Sequence, residues 1–300
     1  MNWVKAQAFL QHNAPVAKYT AGRMGGRAEW LYVARVDTTP ELLIAIVQAA
    51  WSADVPVRVI GGGANILVSD RGVPGLVVVN RLAALHAVGD CQFRVTSGYG
   101  IQALARNLAQ RGCTGFEWAV SVPGTIGGAV VNNAGAHDGD MSQCVVNVSV
   151  VDALYGALTL TVEDMAYEYR TSALKRREDR RCVVTEAVLQ FAPGEPDAIE
   201  KRMSQFQLRR SQTQPKGASL GSVFKNPPGD FAGRLIESCG LKGFAVGTAC
   251  VSDVHANFFV NLGDASSDDY YALIRHVQRV VHERHGIWLE PEIELVGVWP

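Results

Sequence analysis

The period of the hydrophobic pattern changes along the chain, and each change marks an element. Val55-Pro56-Val57-Arg58-Val59-Ile60 is an apolar, β-branched run that predicts a strand. Ile66-Leu67-Val68 and Leu76-Val77-Val78-Val79 predict two more, and Phe93 to Ser97 alternates as a half-buried strand does. Helical spacing first appears after Thr39-Pro40-Glu41, a capping hydroxyl followed by proline and an acid, where Leu42, Leu43, Ile46, Val47 and Ala50 share one face. A second helix is expected over Ile101 to Arg111, with Leu104, Ala105 and Leu108 inward. Val145 to Val151 and Leu158 to Val162 read as a hairpin, and Cys182 to Leu189 as the next strand.

Ala192-Pro193-Gly194-Glu195-Pro196 is the clearest linker, and it divides the chain into domains 1–195 and 196–300. Beyond it, Asp197 to Gln214 reads as a polar helix stopped by Pro215, and Lys216 to Asp230 as a loop around an apolar tripeptide. Asp230 is expected to cap a short helix ended by Gly240, with Leu235 and Ile236 inward. His255 to Asn261 predicts a strand, and Ser266 to His285 a long amphipathic helix closed by Gly286. Ile287 to Val296 then predicts a final strand. Strand–helix alternation with tight glycine turns points to an α+β fold.

Two glycine clusters break this pattern. In Gly61-Gly62-Gly63-Ala64-Asn65, three glycines at a strand end allow positive φ and bring bare N–H groups toward a ligand. Such amides can form an anion nest for a pyrophosphate. On this stretch alone, a nest and a turn that binds nothing both stay open. Ser121 to Gly135, SVPGTIGGAVVNNAG, is a second glycine-rich loop, and two such loops suit a long ligand. A dinucleotide fingerprint would open a helix directly after the first strand. Gly63 leads into another strand instead, which excludes the doubly wound nucleotide fold.

Composition narrows the function further. The chain has 300 residues, 48% hydrophobic and 19% charged, with a net charge of −1, so neither nucleic acid nor an anionic membrane is an expected partner. No apolar run reaches the ~20 residues needed to span a bilayer, and the N-terminus lacks a signal peptide's apolar region. The six cysteines stand singly at 91, 113, 144, 182, 239 and 250 without zinc spacing, and read as reduced thiols in a cytoplasmic protein. No metal is expected.

Three polar groups offer chemistry. Ser222, in Gly221-Ser222-Val223-Phe224-Lys225-Asn226-Pro227, reads as a nucleophile, an acid or a turn hydroxyl, and no GxSxG elbow accompanies it. Arg170, between Tyr169 and Thr171-Ser172, reads alone as a surface stack. Glu290, Glu292 and Glu294 share one face of the final strand, usually a wet face, and Pro291 implies an edge or bulge. His137-Asp138-Gly139-Asp140 reads as an acidic, solvated turn, and Lys175 to Arg181 as a solvated charge run.

Taken together, these motifs resemble the UDP-N-acetylenolpyruvoylglucosamine reductase (MurB) family, in its shorter form. The first loop is similar to the pattern GGGSNLLVSDRG, with Ala64 and Ile66 as departures. Gly221 to Pro227 resembles GSxFKNP, Tyr169 to Ser172 resembles YRxS, and Leu289 to Gly297 resembles the terminal LExEV followed by a glycine. Near the start, Ala21 and Gly22 replace the Thr and Phe of a Thr-Thr-Phe-x-x-Gly-Gly pattern.

The resemblance implies a two-subdomain FAD-binding domain of the PCMH/vanillyl-alcohol-oxidase type followed by a smaller α+β substrate domain. It implies FAD held by Arg58, Gly61, Gly62, Gly63, Ala64, Asn65, Ile66, Ser121, Pro123, Gly124, Ile126, Gly127, Gly128, Asn133 and Gly135. NADPH is then the hydride donor and a UDP-sugar enolpyruvyl ether the substrate, contacted by Tyr169, Lys225, Asn226 and Arg234. Ser222 becomes the proton donor, with Arg170 and Glu292 (Glu290 as the fallback) beside the substrate carboxylate, in a monomer. Two rivals stand beside this expectation: a flavin oxidase of the same fold, and a catalytically silent flavin or nucleotide-sugar binder.

Overall fold

The computed structural model describes residues 1–35 and 38–300. The chain forms two compact units and passes between them more than once. Unit 1 comprises residues 1–11, 30–62 and 75–210, and unit 2 comprises 12–29, 63–74 and 211–300.

Unit 1 is built on a five-stranded sheet whose order is Gly156–Thr161, Val145–Asp152, Cys182–Gln190, Gln92–Thr96 and Leu85–Gly89. The expected hairpin is its edge, with Val148 opposite Leu160 on one side and Ala187 on the other. Val148, Val150, Ala187, Leu189, Phe93 and Val95 turn to a core shared with Ile101, Leu104 and Leu108 of the helix Ile101–Gln110. A second core lies under the helix Pro40–Trp51, which starts as the sequence predicts: the Thr39 hydroxyl accepts from Leu42 N–H and proline follows it. This helix covers the parallel strands Val57–Ile60 and Val73–Asn80, paired from Val57–Leu76 to Ile60–Val79. Leu76 to Val79 are all fully buried, as a two-sided parallel strand requires.

Unit 2 holds a four-stranded sheet in the order Ala218–Ser222, Phe258–Asn261, Ala249–Val251 and Ala245–Val246. The helix Ser267–His285 buries Tyr270, Leu273, Ile274, Val277 and Val281 against its core. The Ser266 hydroxyl caps its start and Gly286, in the left-handed region, ends it. The mixture of helix and antiparallel sheet makes the fold α+β, as expected.

Four readings change. First, the stretch read as a loop before Asp230 contains the strand Ala218–Ser222, because the small residues Ala218, Ser219 and Gly221 conceal its pairing with Phe258–Asn261. Second, the helix Ala232–Ser238 is not capped by Asp230, which lies one residue too early. Its carboxylate accepts from Phe231 N–H and pairs with Arg234, which holds its pKa down to about 2. Third, only Glu294–Val296 of the final run is a strand, pairing parallel with Ile66–Val68. Before it, Pro291 lies opposite Phe224 in an isolated antiparallel bridge, so the run changes partner and does not continue as one strand. Fourth, Cys91 and Cys113 form a disulfide with Cα atoms 5.7 Å apart. A 22-residue separation carries no signature in the sequence, and the fold alone brings the two together. Cys144, Cys182, Cys239 and Cys250 stay free thiols whose pKa burial raises, that of Cys182 to about 11. Among the described residues, no helix is long and apolar enough to cross a membrane.

Candidate functional site

Each unit contributes a set of the residues singled out from the sequence. In unit 1, Gly61 and Gly62 follow the strand Val57–Ile60, and unit 2 begins its return at Gly63. Of the three, only Gly63 has positive φ (+64°). Gly61 and Gly62 are glycines because of what they press against. A β-carbon on Gly61 would overlap Thr125 Oγ1, and one on Gly62 would stand 2.6 Å from Gly124 Cα. The two glycine clusters are therefore in direct contact, backbone on backbone. Gly124, at φ +126°, has nothing within 4 Å of where a β-carbon would stand, and at Gly128 the nearest atom is Thr125 Oγ1 at 3.8 Å. Bare backbone thus borders open space at both, as the close approach of an extended ligand such as FAD needs.

The reading of Ser121 to Gly135 as one loop gives way to a short helix, Ile126–Asn132, closed by Asn133 in the left-handed region (φ 44°). Gly127 sits in its first turn because a β-carbon there would lie 2.8 Å from Ser97 Cβ. Ile126 and Gly127 donate their N–H groups to Tyr99 O (2.9 Å) and Ser97 O (2.8 Å), so these two amides are engaged inside the unit. Ile126 is fully buried, Pro123 exposed. Asn133 spends its side chain on the protein, accepting from Ser142 N–H and donating to Glu168 O. Arg58 lines a cleft of about 250 Å³ with Trp51, Arg180 and Arg181, whose walls hold no residue of either glycine cluster.

His137 is not the solvated turn residue expected. It is half-buried, stacks on Phe206 at 4.2 Å and 6° between planes, and its Nε2 lies 3.3 Å from the buried Ser121 hydroxyl. Burial first, then the Arg209 charge, lowers its pKa.

Arg170 stands at the tip of a two-residue turn in which Glu168 and Thr171 exchange backbone hydrogen bonds, both 3.2 Å. Its φ of +58° is a strained value for a residue with a side chain, of the kind that clusters at functional sites. Nη2 donates to Gly135 O at 2.7 Å, and the guanidinium lies 5.1 Å from the ring centroid of Tyr169, which is 55% exposed. The stack read from the sequence is present, and Gly135 is joined to it.

In unit 2, Ser222 ends the strand Ala218–Ser222. The register against Phe258–Asn261 shifts between Ser219 and Ser222, and Gly221 takes φ +78° at that bulge. The residues that follow run between two backbones. On one side Val223 N–H donates to Asn257 O, and on the other Val223 O accepts from Glu292 N–H, both at 2.8 Å. Lys225 N–H donates to Glu290 O (2.9 Å), and its ammonium reaches Glu290 Oε1 at 2.6 Å. Asn65 donates to Glu292 O at 3.1 Å. Ser222, Lys225, Glu290, Glu292 and Asn65 are therefore brought together. Glu290 is exposed and paired with the lysine, while Glu292 is half-buried with both its backbone groups engaged. Asn226 and Arg234 have structural occupations: Asn226 Oδ1 accepts from Ala232 N–H at the start of a helix, and Arg234 pairs with Asp230. Two participants escaped the sequence reading. Thr125 lies inside the second glycine cluster and Asn257 in a run that shares the family resemblance, but nothing in the sequence assigns either side chain a part.

Comparison with known proteins places these features in a family. Residues 31–158 match the FAD binding domain, and residues 213–296 match the C-terminal domain of UDP-N-acetylenolpyruvoylglucosamine reductase. The chain is 43% identical over 295 residues to the UDP-N-acetylenolpyruvoylglucosamine reductase of Synechococcus sp. (strain WH7803), covering 96% of this chain and 93% of that one. It is 42% identical to that of Nostoc sp. (strain PCC 7120), covering 98% and 86%. The crystal structure of the enzyme from Thermus caldophilus superposes with a TM-score of 0.81 at 34% identity, over 97% of this chain and all of that one. With both domains matched in order and relatives alike over nearly the whole length, the chain belongs to the UDP-N-acetylenolpyruvoylglucosamine reductase family.

Proposed function

We propose that the chain takes reducing equivalents from NADPH and reduces the enolpyruvyl ether of UDP-N-acetylglucosamine to the lactyl ether, a step in building peptidoglycan precursors. It is an oxidoreductase with FAD as its cofactor. Bound FAD supplies the hydride chemistry, and the protein positions and polarises. Gly124 and Gly128, where bare backbone borders open space, are best placed to hold it, with Gly61 and Gly62 pressed on Thr125 and Gly124 behind them. The functional division we adopt is 1–195 for flavin and 196–300 for substrate.

Hydride arriving at the vinyl CH2 carbon leaves negative charge on the substrate carboxylate side. Arg170 offers forked donors to that carboxylate, Glu292 stands beside it, and Ser222 gives its proton to the neighbouring carbon. A serine hydroxyl is a weak acid, so the charge it leaves behind must be stabilised. The Lys225 ammonium, three residues on and held by Glu290, is the nearest fixed cation along that segment. The observation that supports this reading is the bulge at Gly221 and the doubly bonded backbone after it, which ties the residue following Ser222 to the backbone of Glu292.

Anaerobic stopped-flow absorbance tests it. NADPH should bleach the bound flavin under nitrogen, and the enolpyruvyl nucleotide sugar should restore the yellow. Restoration by oxygen alone would favour a flavin oxidase, and no bleaching at all a silent binder.

A further inference from the structure

Asn257 is 3% exposed, and both polar atoms of its side chain bond one residue of the serine segment. Its Oδ1 accepts from Phe224 N–H at 2.9 Å and its Nδ2 donates to Phe224 O at 2.8 Å. Its own carbonyl takes Val223 N–H at 2.8 Å, and the next residue, Phe258, is the register partner of Ser222. The amide thus replaces a strand's peptide group just where the bulge at Gly221 interrupts regular pairing. Asn257 is itself fixed, since its N–H donates to His255 Nδ1 at 3.2 Å. No other side chain of this length offers both a donor and an acceptor: aspartate lacks the donor, and glutamine is one methylene too long.

We infer that Asn257 is a positioning residue for the proton-delivering hydroxyl of Ser222. It acts through the backbone of Val223 and Phe224 and touches no reacting atom. This rests on the reading of Ser222 as proton donor, and the two can fail separately.

The test compares Asn257→Asp, Ser222→Ala and the double variant as flavin-loaded proteins, with rates expressed per bound flavin. Bleaching by NADPH should stay within about twofold of the parent in all three, because that half of the reaction needs no proton from Ser222. Reoxidation by the enolpyruvyl nucleotide sugar should slow at least tenfold in Asn257→Asp. It should slow no further in the double variant than in Ser222→Ala, since residues acting through one another are not additive. If the aspartate variant yields no folded flavoprotein, Asn257→Ser, which keeps a shorter donor and acceptor, is read in the same way. Parent-like reoxidation in the Asn257 variant, equal slowing of both halves, or multiplied effects in the double variant would each overturn the inference. Unchanged reoxidation in Ser222→Ala would overturn it together with the role of the serine.

Discussion

The glycine contact of unit 1 and the serine strap of unit 2 are shaped by opposite means. Around Gly61, Gly62 and Gly124 the structure works by leaving side chains out, so that two backbones touch and open space remains beside Gly124 and Gly128. From Val223 to Lys225 it works by saturation, with backbone groups bonded to Asn257 on one side and to Glu290 and Glu292 on the other. A ligand that must be gripped along its length is served by bare, closely approaching backbone. A hydroxyl that must deliver a proton to one carbon is served by a support with no slack. Steric insertion should therefore be ruinous in the first region, and loss of hydrogen bonds graded in the second.

The largest effect is expected from Gly62→Val, whose β-carbon meets the Gly124 backbone at 2.6 Å with nothing flexible to yield. Overpacking at the top of its usual range costs about 3 kcal/mol, and titration with FAD should show binding weakened about a hundredfold. Parent-like affinity would break the comparison. Gly61→Ala should be milder and partly restored by Thr125→Ala, because there the obstacle is a hydroxyl rather than backbone.

Next comes reduction of the Cys91–Cys113 disulfide, which closes a loop of 22 residues in unit 1. By loop-closure entropy it stabilises by about 3 kcal/mol. Hydrogen exchange should show faster opening at the Val148 and Val150 amides in reductant, with the amides around Asn257 unchanged. Equal acceleration in both places would mean that the two regions do not open separately.

The smallest effect concerns Asp152, whose fully buried carboxylate pairs with Arg177 and accepts from Leu154 and Tyr155 N–H. Burial opposes ionisation, but these bonds outweigh it and lower the pKa below the ordinary aspartate value. The sign follows: the folded state binds this proton less readily than the unfolded one, so the stabilisation is complete above about pH 4. It is lost as the pH falls through the depressed folded value. Asp152→Asn should cost about 2 kcal/mol at neutral pH, and a pH series of urea melts should show its deficit shrinking in acid. A constant deficit would remove Asp152 from the acid response. The Lys225–Glu290 pair, with its glutamate exposed, is by contrast worth little to stability.

The family resemblance and most elements were legible in short runs. Thr39-Pro40-Glu41 start a helix, Val145 to Thr161 make a hairpin, and Ser266 and Gly286 bracket the long helix, because capping and period-2 burial are local rules. The misreadings share a cause. Asp230 looked like a cap because type and spacing were right, but its place by one residue depended on how the chain enters the helix. Ile287 to Val296 alternates like one strand, yet its partner changes along it, from Val223–Lys225 at Glu290–Glu292 to Ile66–Val68 at Glu294–Val296. The helix Ile126–Asn132 was hidden by glycines whose cost is offset by the nearness of Ser97. His137 has the sequence surroundings of a solvated turn because nothing near it in the chain announces Phe206.

The sequence by itself determined where strands and helices begin, which stretches lack side chains, and which serine, arginine and glutamates carry the family's motifs. Those are properties of residue type at short spacing. Only the tertiary structure decided that Gly61 and Gly62 press on Thr125 and Gly124, that Cys91 meets Cys113, that Glu290 pairs with Lys225 and that Asn257 carries the serine segment. Each of these joins residues more than twenty positions apart, and such contacts form only when the packing of whole elements repays the entropy of closing the chain between them.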